Sequence, residues 1–295
     1  MDIIISDIQS GMTVKEVLYN HLHLSHGQVT SLKKNEKGIL LNQKRVTVVE
    51  KVRANDVLSL ALEDKDDDEN TDIEPVNIPV EILYEDEYIV CVNKPSSMPT
   101  HPSHGHHYDT LANALCYYYK KQGRPFVFRA VNRLDSETSG VVLVAKDRHS
   151  AFVLGKSLQK GEFTKEYYAL LEGMAENDSV IESYIKRKQD SIIFRCSKAE
   201  GKPSEYARTE YKVICRKNNR TLVKAMPVTG RTHQLRVHFS DMGNPIVGDS
   251  LYGKEEKRLM LHAVSLSFPH PISGESITIE AELPQEFKEF TGIKE

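Results

Sequence analysis

Hydrophobic and polar positions alternate with two different periods along the chain, and the first period is helical. Near the start, apolar side chains recur three and four residues apart, at Val14, Val17, Leu18 and Leu22. This spacing places them on one face of a helix, and Ser25 is a candidate cap for a second helix over residues 27–34. Residues 38–46 then predict a strand, a turn and a strand, and residues 57–60 predict a further strand. We therefore predict a small helix-helix-β module over residues 1–62.

From residue 76 onward the pattern changes to short runs rich in β-branched and aromatic residues, which are typical of strands. The predicted strands cover residues 80–84, 88–92, 140–145, 167–171, 207–213 and 221–227. The predicted helices cover residues 110–121, 149–159 and 231–242. Strands and helices do not alternate regularly, and the sequence has neither a Gly-x-Gly-x-x-Gly motif nor a P-loop, so a nucleotide-binding α/β fold is disfavoured. The predicted fold class is α+β, with a mixed, mainly antiparallel sheet over residues 76–295.

The formal net charge of −3 is set by one short acidic segment. Residues 1–62 carry eight Lys/Arg and six Asp/Glu, and residues 75–295 carry 30 and 28, so each part has a balance of +2. Residues 63–74 carry eight Asp/Glu and one Lys, a balance of −7. Such a run repels itself and buries little, which predicts a solvated linker over residues 63–75. Because both flanking parts are only mildly basic, any RNA contact must depend on local patches.

Composition excludes several classes of protein. Hydrophobic residues make up 39% of the chain and charged residues 27%, a balance typical of a chain that forms a core. The longest apolar run, Ala114–Tyr119, is far shorter than the ~20 residues of a transmembrane helix. The four cysteines are widely scattered, which argues against a zinc ribbon or a disulfide framework. The acidic start argues against a signal peptide, and we expect a cytoplasmic protein without a membrane segment.

A polar loop that precedes an apolar strand carries the first candidate residue for chemistry. Asn132–Gly140 is rich in charged and hydroxyl side chains and leads into the apolar run 141–145. Loops of this kind often present functional residues, and Asp135 has an arginine and hydroxyls close to it in sequence. On these residues alone, the alternative that Asp135 only caps a turn stays open.

Two further segments combine basic, histidine and aromatic side chains. Thr229–His238 places two arginines and two histidines beside a glycine turn. This pattern suggests either phosphate binding or pairing with a carboxylate, and it is equally compatible with a solvated basic helix. Lys165–Gly173 predicts a strand with a basic entry and two adjacent tyrosines, for which a core position is the default interpretation. A histidine-rich stretch over residues 101–107 lacks accompanying ligands at zinc spacing, so we predict no metal site.

Together, these segments resemble the RluA/RluD-type pseudouridine synthases. Asn132–Gly140 is similar to that family's His-Arg-Leu-Asp-x-x-Thr-Ser-Gly signature, and Thr229–His238 contains its Gly-Arg-Thr-His-Gln-Leu-Arg-Val-His signature. The supporting matches, in family order, are Asn93-Lys94-Pro95, Lys165-x-Tyr167, Gly248-Asp249-x-Leu251-Tyr252-Gly253, Leu261-His262-Ala263 and His270-Pro271. The resemblance spans about residues 78–290. Asn132 stands where the family usually has His, a departure that we expect to affect the anchoring of the loop.

The resemblance implies an isomerase that converts uridine in RNA to pseudouridine without a cofactor or a metal. It implies that Asp135 is the catalytic carboxylate, that Arg236 forms an ion pair with it, and that Tyr167 packs on the uracil. It also implies that Arg133 fills the space left by a flipped base. The other residues assigned to RNA binding in this domain are Arg231, His233 and Leu235. Large-subunit ribosomal RNA is the leading expected substrate, transfer RNA is the main alternative, and we expect a monomer.

The N-terminal module resembles the small S-four-type RNA-binding domain. The resemblance depends on the order of a helix, Lys33-Lys34 and a Gly-Ile-Leu-Leu-Asn strand, whereas the Ser-Arg pair common in that domain is Ser25-His26 here. We expect phosphate contacts from Lys33, Lys34 and Arg45. On charge alone, the same basic face is also compatible with an ordinary solvated surface.

Two other functions are compatible with parts of the sequence. A non-catalytic RNA-binding adaptor would need only the basic residues, and it gives no reason for Asp135, Tyr167 and Arg236 to occur together. A nucleosidase or a metal-dependent nuclease would need paired carboxylates or metal ligands near Asp135. Glu137 is the one neighbouring acid in the sequence of that loop.

Overall fold

The computed structural model describes residues 2–22, 24, 26–61, 73–175, 177–187, 195–197 and 204–291. Within these ranges the strands form a four-stranded sheet near the N-terminus and a larger, eleven-stranded sheet. No helix in this part of the chain is long and apolar enough to cross a membrane. The predicted cap Ser25 and most of the predicted linker over 63–75 lie outside the described residues, and the domain boundaries at residues 62 and 75 stay predictions.

The N-terminal module has its own sheet and its own core. Its strands are β1 (Asp2–Ile4), β2 (Ile39–Leu41), β3 (Lys44–Arg45) and β4 (Val57–Leu60), and they lie in the order β1-β4-β2-β3. Its helices are α1 (Val14–Glu16), which continues as a π-helical turn over Val17–His21, and α2 (His26–Lys34), with a 3-10 turn over Asp7–Gln9. Helix α1 begins with a capping box, because the Glu16 N–H donates to Thr13 Oγ1 and the Thr13 N–H donates to Glu16 Oε2.

The apolar residues that predicted the first helix all lie in the core of this module. Val14, Val17, Leu18 and Leu22 are buried there together with Leu32 and Leu58. The predicted helix-helix-β arrangement is therefore confirmed. Strand β1, which pairs with β4, is an addition that the sequence pattern did not predict.

The larger sheet is mixed and mainly antiparallel, as the sequence predicted. Its strands are β5 (Glu81–Glu85), β6 (Ile89–Lys94), β7 (Arg129–Ala130), β8 (Ser139–Ala145), β9 (Thr164–Glu172), β10 (Ser179–Arg187), β11 (Arg195–Cys196), β12 (Glu205–Lys217), β13 (Arg220–Pro227), β14 (Leu261–Pro269) and β15 (Ser276–Glu280). Their order is β11-β10-β12-β13-β9-β14-β8-β6-β5, with β15 beside β14 and β7 beside β8. Its helices are α3 (Leu111–Lys121), α4 (Arg148–Gln159), α5 (Gln234–Asp241) and α6 (Gln285–Thr291).

Strand β8 is buried on both faces, which explains its uninterrupted apolar sequence. Val142 and Val144 belong to the same core cluster as residues of α3, whereas Val141 and Leu143 pack in the cluster that contains Leu154 of α4. Strand β8 pairs antiparallel with β6 and parallel with β14. The polar loop that precedes β8 is therefore held at the end of a rigid, central strand.

Gly140 lets the strands approach each other beside that loop. It has a φ of +117°, and a Cβ atom built on it would lie 2.1 Å from the carbonyl oxygen of Ala263. Ala263 pairs with Gly140 on one side and with Tyr167 on the other. The glycine that ends the family signature is therefore required by the close strand pairing that places Tyr167 at the level of the loop.

The sequence pattern did not predict strands β10, β11, β14 and β15 or helix α6. In β10, the large hydrophobic side chains of Val180 and Tyr184 are exposed. Apolar side chains therefore occur on both faces of this strand, and the alternation that predicts a strand is absent. Helix α5 begins at Gln234 rather than at the predicted residue 231, because His233 has a left-handed backbone with φ +57°.

Candidate active site

A cleft of about 680 Å³ brings the predicted segments together. Six of the predicted site residues line it: Arg133, Asp135, Tyr167, Arg231, His233 and Leu235. They come from the loop before β8, from β9, and from the turn that leads into α5 together with the first turn of that helix. Strand pairing thus joins three segments that are distant in sequence into one concave surface of a size typical of a ligand site.

Side-chain hydrogen bonds from Asn132 anchor the loop that carries Asp135. The Leu143 N–H donates to Asn132 Oδ1 at 2.7 Å, and Asn132 Nδ2 donates to the Val141 carbonyl at 3.2 Å. Asn132 is buried, so both of its amide groups bind backbone of β8. The residue that departs from the family signature therefore ties the loop to the central strand.

Lys94 holds the other side of the same loop. It is fully buried at the end of β6, and its Nζ donates to the carbonyl oxygens of Pro95, Met98 and Ser136 at 2.9, 2.6 and 3.0 Å. Burial lowers the pKa of Lys94 to about 7, although the nearby Asp135 carboxylate opposes that shift. In the sequence, Lys94 belongs to the supporting motif match Asn93-Lys94-Pro95, which predicts no role for it.

Arg236 lies beneath Asp135, but its main partner is a different carboxylate. Its Nε and Nη2 form two hydrogen bonds with Asp249, at 2.9 and 2.6 Å. Its Nη2 also lies 2.9 Å from Glu137 Oε2, whereas its Nη1 lies 4.0 Å from Asp135 Oδ2. The predicted ion pair between Arg236 and Asp135 is therefore present at the limit of contact, at 4.0 Å, and Asp135 is the most distant of three carboxylates around this guanidinium.

Asp249 is placed to hold Arg236 rigidly. Its side chain is fully buried, and its Oδ1 also accepts hydrogen bonds from the backbone N–H groups of Leu251 and Tyr252, each at 3.0 Å. Burial alone would lower the pKa of Arg236, but the hydrogen bonds and charge of Asp249 outweigh it, and the pKa lies above its ordinary value. The arginine is therefore a fixed cation under the cleft.

Tyr167 and the basic residues complete the walls of the cleft. Burial, reinforced by the charge of Asp135, raises the pKa of Tyr167, so its phenol is protonated at neutral pH. Arg231 donates from Nε to the Tyr206 carbonyl and from Nη1 to Glu205, each at 3.0 Å. Arg133 is exposed at the cleft, and Leu235 is buried in its wall. The arrangement places a carboxylate and a protonated phenol together in one concave site.

Comparison with known proteins bears directly on this arrangement. The family model described as RNA pseudouridylate synthase matches residues 88–241, which include the Asp135 loop, Tyr167 and Arg236. That match covers more than half of the chain. The chain belongs to the RNA pseudouridylate synthase family. It is therefore an isomerase that acts on RNA.

Similar proteins support the assignment over the whole chain. An uncharacterized RNA pseudouridine synthase of Bacillus subtilis, YjbO, is 36% identical over 93% of this chain and 96% of its own length. Ribosomal large subunit pseudouridine synthase D of Pasteurella multocida is 34% identical over 75% of this chain and 73% of its own. The structure of human RNA Pseudouridylate Synthase Domain Containing 1 matches with a TM-score of 0.60 and 28% identity, covering 70% of this chain and 84% of the human chain.

Three predicted RNA-binding residues of this pseudouridine synthase do not line the cleft. Lys33 and Lys34 are exposed at the end of α2, and Arg45 is exposed on β3. They lie in the N-terminal module, which has a separate sheet. Their predicted contacts with phosphates are therefore independent of the geometry of the active site.

The histidine-rich stretch contributes to the wall of the synthase cleft. His101 and His106 line it; His106 Nδ1 lies 2.6 Å from Asp109 Oδ2, and the His101 ring packs edge-on against Phe128. Among the residues that the structure describes, no three His, Cys, Asp or Glu side chains are grouped so that they could hold a metal ion.

Sequence reasoning missed several residues that shape this site. Asp249, Tyr252 and Lys94 occur in the supporting motif matches, so a signal for them was present, but residue spacing assigned them no partner. Glu137 was noted only as a neighbouring acid. Its contact with Arg236 depends on the fold of the loop, because Ser96 Oγ holds the Glu137 carbonyl at 2.6 Å and Ser250 Oγ donates to Glu137 Oε1 at 3.2 Å.

Proposed function

We propose that this pseudouridine synthase isomerises uridine in large-subunit ribosomal RNA and that Asp135 is its catalytic carboxylate. The observation that carries the catalytic assignment is the position of Asp135 in the cleft, within about 4 Å of both His233 and Arg236. The ribosomal substrate is supported by relatives named ribosomal large subunit pseudouridine synthase D. The expected cytoplasmic location and monomeric state stay predictions.

The reaction breaks the bond between N1 of uracil and C1′ of ribose and forms a bond between C5 and C1′. A carboxylate beside the ribose can attack C1′ or remove a proton from C2′ as the uracil leaves. The uracil then turns within the cleft, C5 bonds to C1′, the C5 proton is lost and N1 gains a proton. Atoms and electrons balance without an oxidant or an energy source. A carboxylate in a cleft is therefore sufficient to begin the reaction.

We assign the surrounding residues to substrate binding and orientation. The protonated phenol of Tyr167 is suited to pack on the uracil and to relay the C5 proton through its hydroxyl. Arg236 supplies a fixed positive charge below Asp135. Walls that include Leu235 exclude water, which would otherwise hydrolyse the separated sugar.

The target base must leave its stack before it can reach Asp135, at a cost of roughly a few kcal/mol. Arg133 is exposed beside the cleft, a position from which its guanidinium could occupy the space vacated in the RNA. Arg231 and His233 are assigned to contacts with the flipped nucleotide. Lys33, Lys34 and Arg45 of the N-terminal module would add phosphate contacts on a large RNA and raise the effective concentration of substrate at the cleft.

The catalytic assignment is tested with RNA that carries tritium at C5 of uracil, because pseudouridine formation releases that label. We expect Asp135→Asn to abolish release while RNA binding and folding persist, since the amide keeps the size of the side chain but removes its charge. Asp178→Asn is the matched control, because Asp178 is exposed and does not line the cleft. Full activity of Asp135→Asn would contradict the catalytic assignment.

The substrate is tested separately by mapping pseudouridine in total RNA from a strain that lacks the gene. The expected result is the loss of pseudouridine from large-subunit ribosomal RNA. Loss from transfer RNA alone would overturn the ribosomal assignment while leaving the reaction intact. Free uracil in the purified assay would instead indicate a nucleosidase.

A further inference from the structure

His233 occupies an unusual backbone conformation beside the catalytic carboxylate. Its φ and ψ are +57° and +20°, in the left-handed region that non-glycine residues seldom adopt. Such residues persist where the surrounding structure holds them and occur often at functional sites. The contact that holds His233 is with Tyr252, whose hydroxyl lies 2.9 Å from His233 Nδ1 and whose ring packs edge-on at 5.7 Å.

The two sides of the imidazole face groups of different chemistry. Tyr252 Oη lies on the Nδ1 side, and Asp135 Oδ2 lies 3.9 Å from Nε2. An ionised carboxylate can only accept a hydrogen bond, whereas a phenol can donate one. The neutral imidazole is therefore best satisfied when the proton is on Nε2 and the Nδ1 lone pair accepts from Tyr252.

A backbone contact favours the same arrangement. The Arg195 N–H donates to Tyr252 Oη at 2.8 Å, so the phenol oxygen already accepts one hydrogen bond, which favours its hydroxyl as the donor to His233. Burial raises the pKa of Tyr252 and keeps its hydroxyl protonated. In the favoured arrangement, donation runs from the Arg195 backbone to Tyr252, then to His233, whose Nε2 faces Asp135.

We propose that Tyr252 and His233 are positioning residues for Asp135, with Tyr252 selecting the imidazole tautomer whose Nε2–H orients the catalytic carboxylate. This inference rests on the proposed role of Asp135. Arg236 shares that role, because its Nη1 lies 4.0 Å from Asp135 while its Nε and Nη2 bind Asp249 and Glu137. Hydrogen bonds that are long in a free enzyme commonly tighten in the substrate complex, and we expect the 3.9 Å separation to shorten there.

The charges around His233 support a neutral ring at neutral pH. Burial lowers the pKa of His233, the carboxylates of Asp135 and Asp249 oppose that shift, and the guanidinium groups of Arg236 and Arg195 reinforce it. Loss of the Tyr252 hydroxyl would leave Nδ1 without this donor and make protonation easier. A cationic His233 would then bind Asp135 as an ion pair and weaken it as a nucleophile or base.

The tautomer can be read directly by nitrogen NMR of protein labelled with ¹⁵N-histidine, which distinguishes protonated from unprotonated ring nitrogens. The His233 signals are identified by their absence from His233→Gln. We expect the wild type to carry the proton on Nε2 and Tyr252→Phe to lose that preference. A wild-type His233 protonated on Nδ1 would overturn the inference, whether or not the proposed reaction is correct.

Kinetics supply the second test, using large-subunit ribosomal RNA transcribed with tritium at C5 of uracil. We expect Tyr252→Phe to lower kcat about tenfold, which corresponds to one hydrogen bond, and to leave KM within about twofold. The acid limb of its pH profile should move up by about one pH unit, because His233 becomes easier to protonate. His233→Gln, which can place an amide N–H toward Asp135, should retain more activity than His233→Leu.

Tyr118→Phe is the matched control, since the Tyr118 hydroxyl also donates at 2.9 Å, to Glu85, and Tyr118 does not line the cleft. An unchanged kcat and acid limb in Tyr252→Phe would overturn the inference, as would equal activities of His233→Gln and His233→Leu. If Asp135→Asn is fully active, the proposed function fails, and the NMR result still decides the tautomer.

Discussion

The buried pair of Arg236 and Asp249 gives the sharpest prediction about stability in this pseudouridine synthase. Asp249→Asn keeps the shape of the side chain and an oxygen that can still accept from the backbone N–H groups of Leu251 and Tyr252. Its amide nitrogen, however, would face Arg236 Nε, so that two donors meet where a 2.9 Å hydrogen bond existed. The guanidinium would stay buried with a weaker set of partners.

The expected cost follows from the burial of the two groups. Removing one member of a buried ion pair typically costs ~3–5 kcal/mol, and both side chains here are almost completely inaccessible, at 2% and 0%. Glu137, 2.9 Å from Arg236, still offsets part of the charge, so we expect about 3 kcal/mol, at the lower end of the range. That is a large fraction of the ~5–15 kcal/mol that stabilises a typical domain.

Urea unfolding followed by far-ultraviolet circular dichroism measures this loss, because the chain has no tryptophan to report by fluorescence. Glu137→Gln is the matched control. Its carboxylate also contacts Arg236 but is about one-third exposed, so its removal should cost less than about 1 kcal/mol. The double variant Arg236→Met/Asp249→Asn should lose less unfolding free energy than the two single variants lose together, because neither buried charge is then left without its partner.

A loss below about 1 kcal/mol in Asp249→Asn, or strictly additive losses in the double variant, would refute the reasoning. Either result would mean that Arg236 finds equivalent partners elsewhere. The natural candidate is Asp135, 4.0 Å away. An accompanying loss of isomerisation would then indicate that Asp249 normally keeps the arginine from binding Asp135 too tightly.

Three further predictions concern RNA binding, base flipping and pH. Deleting residues 1–74 should leave a folded, active catalytic domain with lower affinity for large-subunit ribosomal RNA. The binding of this domain should also depend less steeply on salt, since the proposed phosphate contacts of Lys33, Lys34 and Arg45 would be absent. Equal affinities and slopes for both proteins would show that the module is not an RNA anchor. Arg133→Ala should slow isomerisation more on a folded stem-loop than on an unstructured oligonucleotide, because only in the stem-loop does the flipped base leave a space between stacked bases. Equal effects on both RNAs would contradict the role assigned to Arg133. His238 and His262 are buried, and burial lowers the pKa of each from 6.5 to about 4. Because the unfolded chain binds these protons first, the free energy of unfolding should fall as the pH drops from 6.5 to 4, by up to about 3 kcal/mol for each histidine. If the stability of His238→Gln depends on pH in the same way as that of the wild type, this explanation is wrong.

The sequence determined those features of the protein that depend on local pattern. The apolar run Val141–Ala145 predicted a buried strand, and the structure buries it on both faces as β8. The helix predicted over residues 110–121 occurs as Leu111–Lys121, capped by Thr110. The family signatures also identified six of the residues that line the cleft, because the chemistry of a site is concentrated in short segments.

Only the tertiary structure decided which of these residues contact each other. Arg236 binds Asp249 more closely than Asp135, because the turn after α5 places Asp249 in the interior, whereas Asp135 lies on a loop in the cleft. The contact of His233 with Tyr252 also depends on that turn, which carries Tyr252. Strand β10 escaped prediction because its exposed face also carries apolar side chains, which hides the alternation of apolar and polar positions. Periodicity reports which face of an element is buried, but an ion pair or a hydrogen-bond direction depends on distances between segments that meet only when the sheet has formed.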